Sequence, residues 1–225
     1  MGAAVAIKEG SVPKVDKPRL SGELADLRFR ALLPADAWAV LPPTVRRRFS
    51  KRMTGGATVT YCGAVTTVRA SAAGRLLAEA ARLIGGPLPL VFEPGAGVVT
   101  VTEDTVGQGQ VWTRLYTRRS GFPQVIHSAK RFAGPTGLEE HIGAGVGMAL
   151  TVAVQDQALV FRSAFYFASV LGLRLRLPRW AEPGRLTITH RDLGDGAFAF
   201  TLALDHPWLG RLIGQDAVFR DARDD

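Results

Sequence analysis

The sequence is poor in cysteine, histidine, lysine and long apolar runs. A single cysteine, Cys62, in 225 residues excludes an intramolecular disulfide framework and any multi-cysteine metal site. No stretch approaches the ~18 apolar residues a helix needs to cross a bilayer, so the reading contains no transmembrane segment. There is no Gly-x-Ser-x-Gly elbow, which leaves a hydrolase nucleophile unsupported. Gly143-Ala144-Gly145-Val146-Gly147 leads into no clear helix and fails the dinucleotide pattern, and Gly55-Gly56 lacks the Lys-Ser/Thr of a phosphate loop. Both read as turns or bulges. The four histidines, at 127, 141, 190 and 206, are spread along the chain. Glu139 and His141 share one strand face with Glu140 opposite, too few ligands to define a metal site. No metal and no cofactor is therefore expected.

Basic residues are in excess. The chain has 28 Lys and Arg against 20 Asp and Glu, a net charge of +8. Five of the basic residues are lysines (8, 14, 17, 51 and 130) and the other 23 are arginines. The arginines are dispersed, with one cluster at Arg46, Arg47, Arg48, Lys51 and Arg52, expected on the solvated side of a short helix. Such a balance suits nucleic acid or anionic lipid, but no recognised nucleic-acid module is present, so no specific nucleic acid is expected. Residues 1–20 lack the apolar core of a secretory signal, and Pro13 and Pro18 oppose a helix. They read as a flexible tail, followed by a single domain over 21–225, with the cytoplasm as the default compartment.

Periodicity predicts short helices over 21–33 and from Pro43 or Thr44, and a strand over 57–69 rich in β-branched residues. The clearest helix is 71–85, capped by Ser71 and stopped by Gly85-Gly86-Pro87. Its apolar stripe includes Leu76, Leu77, Ala80, Leu83 and Ile84, so Leu83→Ala is expected to cost about 2–5 kcal/mol. From residue 88 the pattern is of strands: 88–93, 97–104, 109–118, 122–132, 138–144, 147–154, 157–169, 172–177, 185–192 and 196–205. Tight turns separate most of them. This predicts a mainly β (α+β) protein, a curved antiparallel sheet closing into a barrel or half-barrel, with a helical N-terminal part to about 86 and the β part over about 88–219. Cys62, mid-strand among small and apolar residues, reads as an inert core thiol.

Several landmarks then resemble a bacterial family known only as domain of unknown function 4166. They are Leu41-Pro42-Pro43 with Arg46-Arg47-Arg48, the segment Gly55 to Gly85, Trp112 with Arg114, and Arg131-Phe132 with Gly134-Pro135. Leu177-Pro178 with Trp180, and Phe198, Phe200, His206, Pro207 and Gly210, complete the order, over roughly residues 40–219. The resemblance implies no established activity.

The strand at 111–117 carries the chemistry. Trp112, Arg114 and Tyr116 share one face, and a Ser120-Gly121 hairpin would set them beside the next strand, with Gln124, Ser128 and Lys130 on one face and His127 and Arg131 on the other. Trp112, Arg114, Tyr116, His127 and Lys130 are the candidate ligand-binding residues, and catalytic residues are left unassigned. The leading reading is a binding module for an apolar or amphipathic small molecule. The alternatives are an enzyme acting on a small organic substrate at the same face, or a basic interaction protein whose Arg46–Arg52 helix meets nucleic acid or acidic lipid. The sequence does not set the oligomeric state.

Overall fold

The computed structural model describes residues 26–171 and 173–222. The strands are β1 (Val59–Ala70), β2 (Gly95–Asp104), β3 (Gly109–Tyr116), β4 (Gln124–Arg131), β5 (Glu139–Gly143), β6 (Val146–Gln155), β7 (Ala158–Val170), β8 (Leu173–Arg176), β9 (Arg185–Gly194), β10 (Ala197–His206) and β11 (Gly210–Asp221). Ten of them form a closed antiparallel barrel in which each strand pairs with the next along the chain. β8 is the extra strand: it doubles back on the end of β7, and β7 itself goes on to pair with β9. β11 returns to β1 and closes the ring, so the strand expected over 57–69 is part of the barrel. Closure leaves no open edge in the ring.

Local chemistry explains the meander. The two-residue links Ala144-Gly145, Asp156-Gln157 and Asp195-Gly196 have positive φ at both positions, the geometry of the hairpin turns that match strand twist. The strand expected at 88–93 is a loop. Pro87 and Pro89 remove ladder donors, and the backbone of Leu88 and Leu90 is held instead by the Gln124 side chain. The last strand, β11, lies beyond the expected strands because Gln215 and Asp216 interrupt its apolar pattern. Cys62 is exposed on the outside of the barrel, not in the core, because the alternation of β1 buries Tyr61 and Val65.

Three short helices, α1 (Arg28–Ala31), α2 (Ala35–Val40) and α3 (Pro43–Phe49), fill one end of the barrel. Of the helix expected over 21–33, four residues are helical, and residues 1–25, including the expected tail, lie outside the described residues. Phe29, Trp38, Val45 and Phe49 are buried, and the Phe29 ring stands edge-on to Phe49, Phe132 and Phe161. Arg48 departs from the expected solvated cluster. It turns inward, donates to the Gly196 carbonyl at 2.8 Å, lies near Asp192 and Asp221, and stacks over Phe198. The α3 helix is thereby tied to the β9–β10 turn.

At the other end, α4 (Ala72–Ala80) begins at Ser71, whose hydroxyl accepts from the Gly74 amide, and tightens into a 3-10 turn at Ala81–Ile84. Its buried face is Gly74, Ala78 and Ala81, whereas Leu76 and Leu83 are exposed. The expected stripe is corrected by close approach. A Cβ on Gly74 would collide with the Leu212 carbonyl of β11, so only small residues fit against the sheet. No helix among the described residues is long and apolar enough to cross a membrane.

Helix propensity alone favours alanine at Gly74 by about 1 kcal/mol. The collision with β11 outweighs that gain, and Gly74→Ala should destabilise by about 1–2 kcal/mol. Leu83→Ala should change stability by less than about 0.5 kcal/mol. Urea melts of both variants check the pair, and a rise in midpoint for Gly74→Ala would refute the packing account.

Candidate functional site

The pairing of β3 with β4 sets opposite one another Gln110 and Lys130, Trp112 and Ser128, Arg114 and Ile126, and Tyr116 and Gln124. Period-two alternation sends all eight into the barrel. Four of the five candidate residues, Trp112, Arg114, Tyr116 and Lys130, therefore meet inside. His127 is one residue out of step. It lies exposed on the outer face, with its Nδ1 3.1 Å from the Thr113 hydroxyl.

The residue not singled out by sequence is Glu140. It opposes Lys130 in the β4–β5 register and points inward, while Glu139 and His141 stay on the outer face, His141 Nε2 lying 3.3 Å from Glu139. Its strand parity was the available signal. Lys130 Nζ lies 3.1 Å from Glu140 Oε2, and Arg114 Nη2 lies 3.7 Å from Oε1. Arg114 also donates to the Ser128 hydroxyl at 3.0 Å. Lys130 Nζ sits 5.0 Å from the centre of the Trp112 ring, where the π face supplies further attraction.

Two cations thus share one carboxylate, and all three groups are buried. Burial opposes ionisation of Glu140, but the Lys130 and Arg114 charges outweigh it and hold the carboxyl below its usual range. Burial and the Arg114 charge bring Lys130 below the ordinary lysine value, against the pull of Glu140.

This cluster divides the interior. Towards the open end lies a cavity of about 370 Å³, within the range of small-molecule sites. Leu77, Ile84, Leu88, Leu177 and Pro183 form its mouth, and Met148, Leu186, Ile188 and Leu204 line its walls. Arg114, Ser128 and Glu140 are among its polar groups, with Tyr166, whose hydroxyl burial pushes up to about 12. The Gln215 amide nitrogen, on a residue that lines the same cavity, is buried and finds no partner among the described residues. Towards the plugged end a space of about 40 Å³ remains between Trp112, Lys130, Phe49 and His190.

His190 packs at the plugged end, stacked 4.3 Å from the Phe198 ring and edge-on to Phe49. Burial first, and the nearby Arg48 charge second, hold its pKa down to about 3. It is a neutral core histidine.

A family model described as a domain of unknown function, DUF4166, matches residues 41–219. No curated protein matches the chain. Among solved structures, the crystal structure of Rv2717c from M. tuberculosis is similar at 16% identity, with a TM-score of 0.38, over 81% of this chain and 99% of that one.

The charge count orders three substitutions. Glu140→Gln leaves two buried cations without a counter-charge and should cost about 3–5 kcal/mol, whereas Lys130→Met or Arg114→Met leaves a one-to-one pair and should cost less. Denaturant melts that rank Glu140→Gln as the mildest would refute the shared-carboxylate account.

His190 makes stability depend on pH. Its folded pKa of about 3 lies below the 6.5 of an unperturbed histidine, so below pH 6.5 the unfolded chain gains a proton that the folded chain refuses. Stability should therefore fall from about pH 6.5 towards pH 3, by roughly 2–3 kcal/mol between pH 6.5 and 4.5 from this group. His190→Phe should remove that component. Parallel stability curves for wild type and variant over this interval would show that His190 contributes none of it.

Proposed function

The chain belongs to the DUF4166 family, whose description assigns no activity, and from the barrel interior we propose that the protein binds an amphipathic small molecule with one anionic head group. The observation that carries this is the two-to-one charge cluster at the inner end of an apolar cavity of about 370 Å³. A ligand carboxylate or phosphate reaching Arg114 would bring the cluster to balance. A guanidinium fork suits two oxygens at once. The apolar walls would take the tail, and the buried Gln215 amide offers a further donor to a polar group along it.

The enzymatic alternative needs acid and base groups that converge on one site. Arg114 lines the larger cavity and Lys130 the smaller space, whereas His127, although its residue borders the larger cavity, is exposed with its Nδ1 at the Thr113 hydroxyl, and His141 lies beside Glu139, so neither imidazole joins the cluster. In the basic-helix alternative, Arg48 is withdrawn from the cluster into the core.

Native purification followed by solvent extraction and mass spectrometry should return a bound amphiphile. In calorimetric titration, decanoate should bind and decanol should bind more weakly. Arg114→Ala should weaken decanoate binding by roughly 1.5–3 kcal/mol, about ten- to a hundredfold. Arg114→Lys should recover part of it, since lysine offers a point charge and no fork. Identical isotherms for wild type and Arg114→Ala would place the anion elsewhere and overturn the proposal.

A further inference from the structure

Apolar side chains on a protein surface are ordinarily scattered one at a time, and a gathering of large ones marks an interaction site. Here they gather at the open end of the barrel. Leu83 in the 3-10 turn after α4, Phe122 in the β3–β4 link, Trp180 in the β8–β9 link and Trp208 in the β10–β11 turn are 89%, 91%, 77% and 80% exposed. Phe122, Trp180 and Trp208 are the exposed aromatic side chains among the described residues. They come from separate parts of the chain that the antiparallel meander brings to one end. Two of the four residues adjoin the mouth of the cavity, since Leu83 precedes Ile84 and Trp180 precedes Ala181, both of which line it.

Arginines are interleaved with this rim. Arg82 and Arg119 are paired with Glu79 and Glu93; Arg118 and Arg179 are exposed and make no ion pair among the described residues, and the same holds for Arg75 and Arg176, which stack over Phe92 and Phe165. The open end thus carries large exposed apolar and aromatic side chains together with arginines that lack an acidic partner. Tryptophan prefers the water–bilayer boundary, where its ring is buried and its N–H stays wet, and arginine is drawn to anionic head groups. A neutral protein partner would answer the aromatic crest and leave the surplus charge unmatched.

We propose that the open end of the barrel docks on a bilayer surface containing anionic phospholipid. Leu83, Phe122, Trp180 and Trp208 enter the interface, and the unpaired arginines meet the phosphates. The cavity mouth then opens towards the membrane, the phase in which an amphipathic ligand resides. The docking surface is independent of what the cavity holds, so failure of decanoate binding would leave it standing.

The test is co-sedimentation of the full chain with vesicles of phosphatidylcholine alone and of phosphatidylcholine mixed with phosphatidylglycerol. The protein should pellet with the mixed vesicles, much less with phosphatidylcholine alone, and less as salt is raised. The double variant Phe122→Ser/Trp180→Ser should lose about tenfold in partitioning, with an unchanged thermal midpoint because both side chains are exposed. Arg118→Glu should also weaken binding. Arg47→Glu, on the exposed face of α3 at the plugged end, should change it less than about twofold. The proposal is overturned if neither vesicle sediments the protein, which would give the rim to a protein partner. It is equally overturned if the double variant binds like wild type, or if Arg47→Glu weakens binding as much as Arg118→Glu does, the signature of a basic protein adsorbing without orientation.

Discussion

Closing ten strands into one ring is the constraint from which the rest of this structure follows. A barrel of about eight strands is just filled by its own inward side chains, and a wider one leaves space that something must occupy. The protein treats its two ends differently. At one end the N-terminal helices push Phe29, Trp38, Val45 and Phe49 into the ring, where they meet Phe161, His190 and Phe198. At the other end no helix enters. α4 is held flat against β11 by its small residues, and the interior stays open behind it.

The buried charges sit where these two halves meet. Charges buried in an apolar interior are costly unless paired. Here one carboxylate serves two cations, with a serine hydroxyl and an aromatic face making up part of the deficit. An interior optimised for stability alone would pair charges one to one, or omit them. The surplus positive charge is the feature that distinguishes this barrel from a merely hollow one, and it lies at the inner end of the cavity.

The fold was legible wherever a local pattern carried it. Alternation along 109–116, 185–194 and 197–206, together with turn residues between the strands, was enough to expect an antiparallel barrel. The same parity placed Trp112, Arg114 and Tyr116 on one inward face. What could not be read was anything decided by register or close approach. Glu140 became part of the site only because β5 pairs with β4 at Lys130, and no local pattern encodes that partner. His127 was grouped with the site by proximity in sequence, and its parity sends it outward. Leu83 looked like core because helical periodicity was extended through a segment that winds as a 3-10 turn, which rotates the side chain away from the sheet. Arg48 looked solvated because its neighbours are, yet carbonyl and carboxylate acceptors from β9–β11 draw it in.

The asymmetry along the barrel axis also distributes its rigidity. The plugged end combines aromatic contacts with the Arg48 tether, and the β6–β7 and β9–β10 turns there span two residues each. The open end is bounded by longer connections, among them residues 85–94 and 177–184, which lie outside the sheet ladders. The first of these is pinned by one side chain, Gln124, which donates to Leu88 and accepts from Leu90. Segments with few buried contacts and exposed backbone bonds open at lower free energy than a strand core. These connections are therefore less costly to displace than the strands, and the ring that holds Arg114, Lys130 and Glu140 can stay in place when they move.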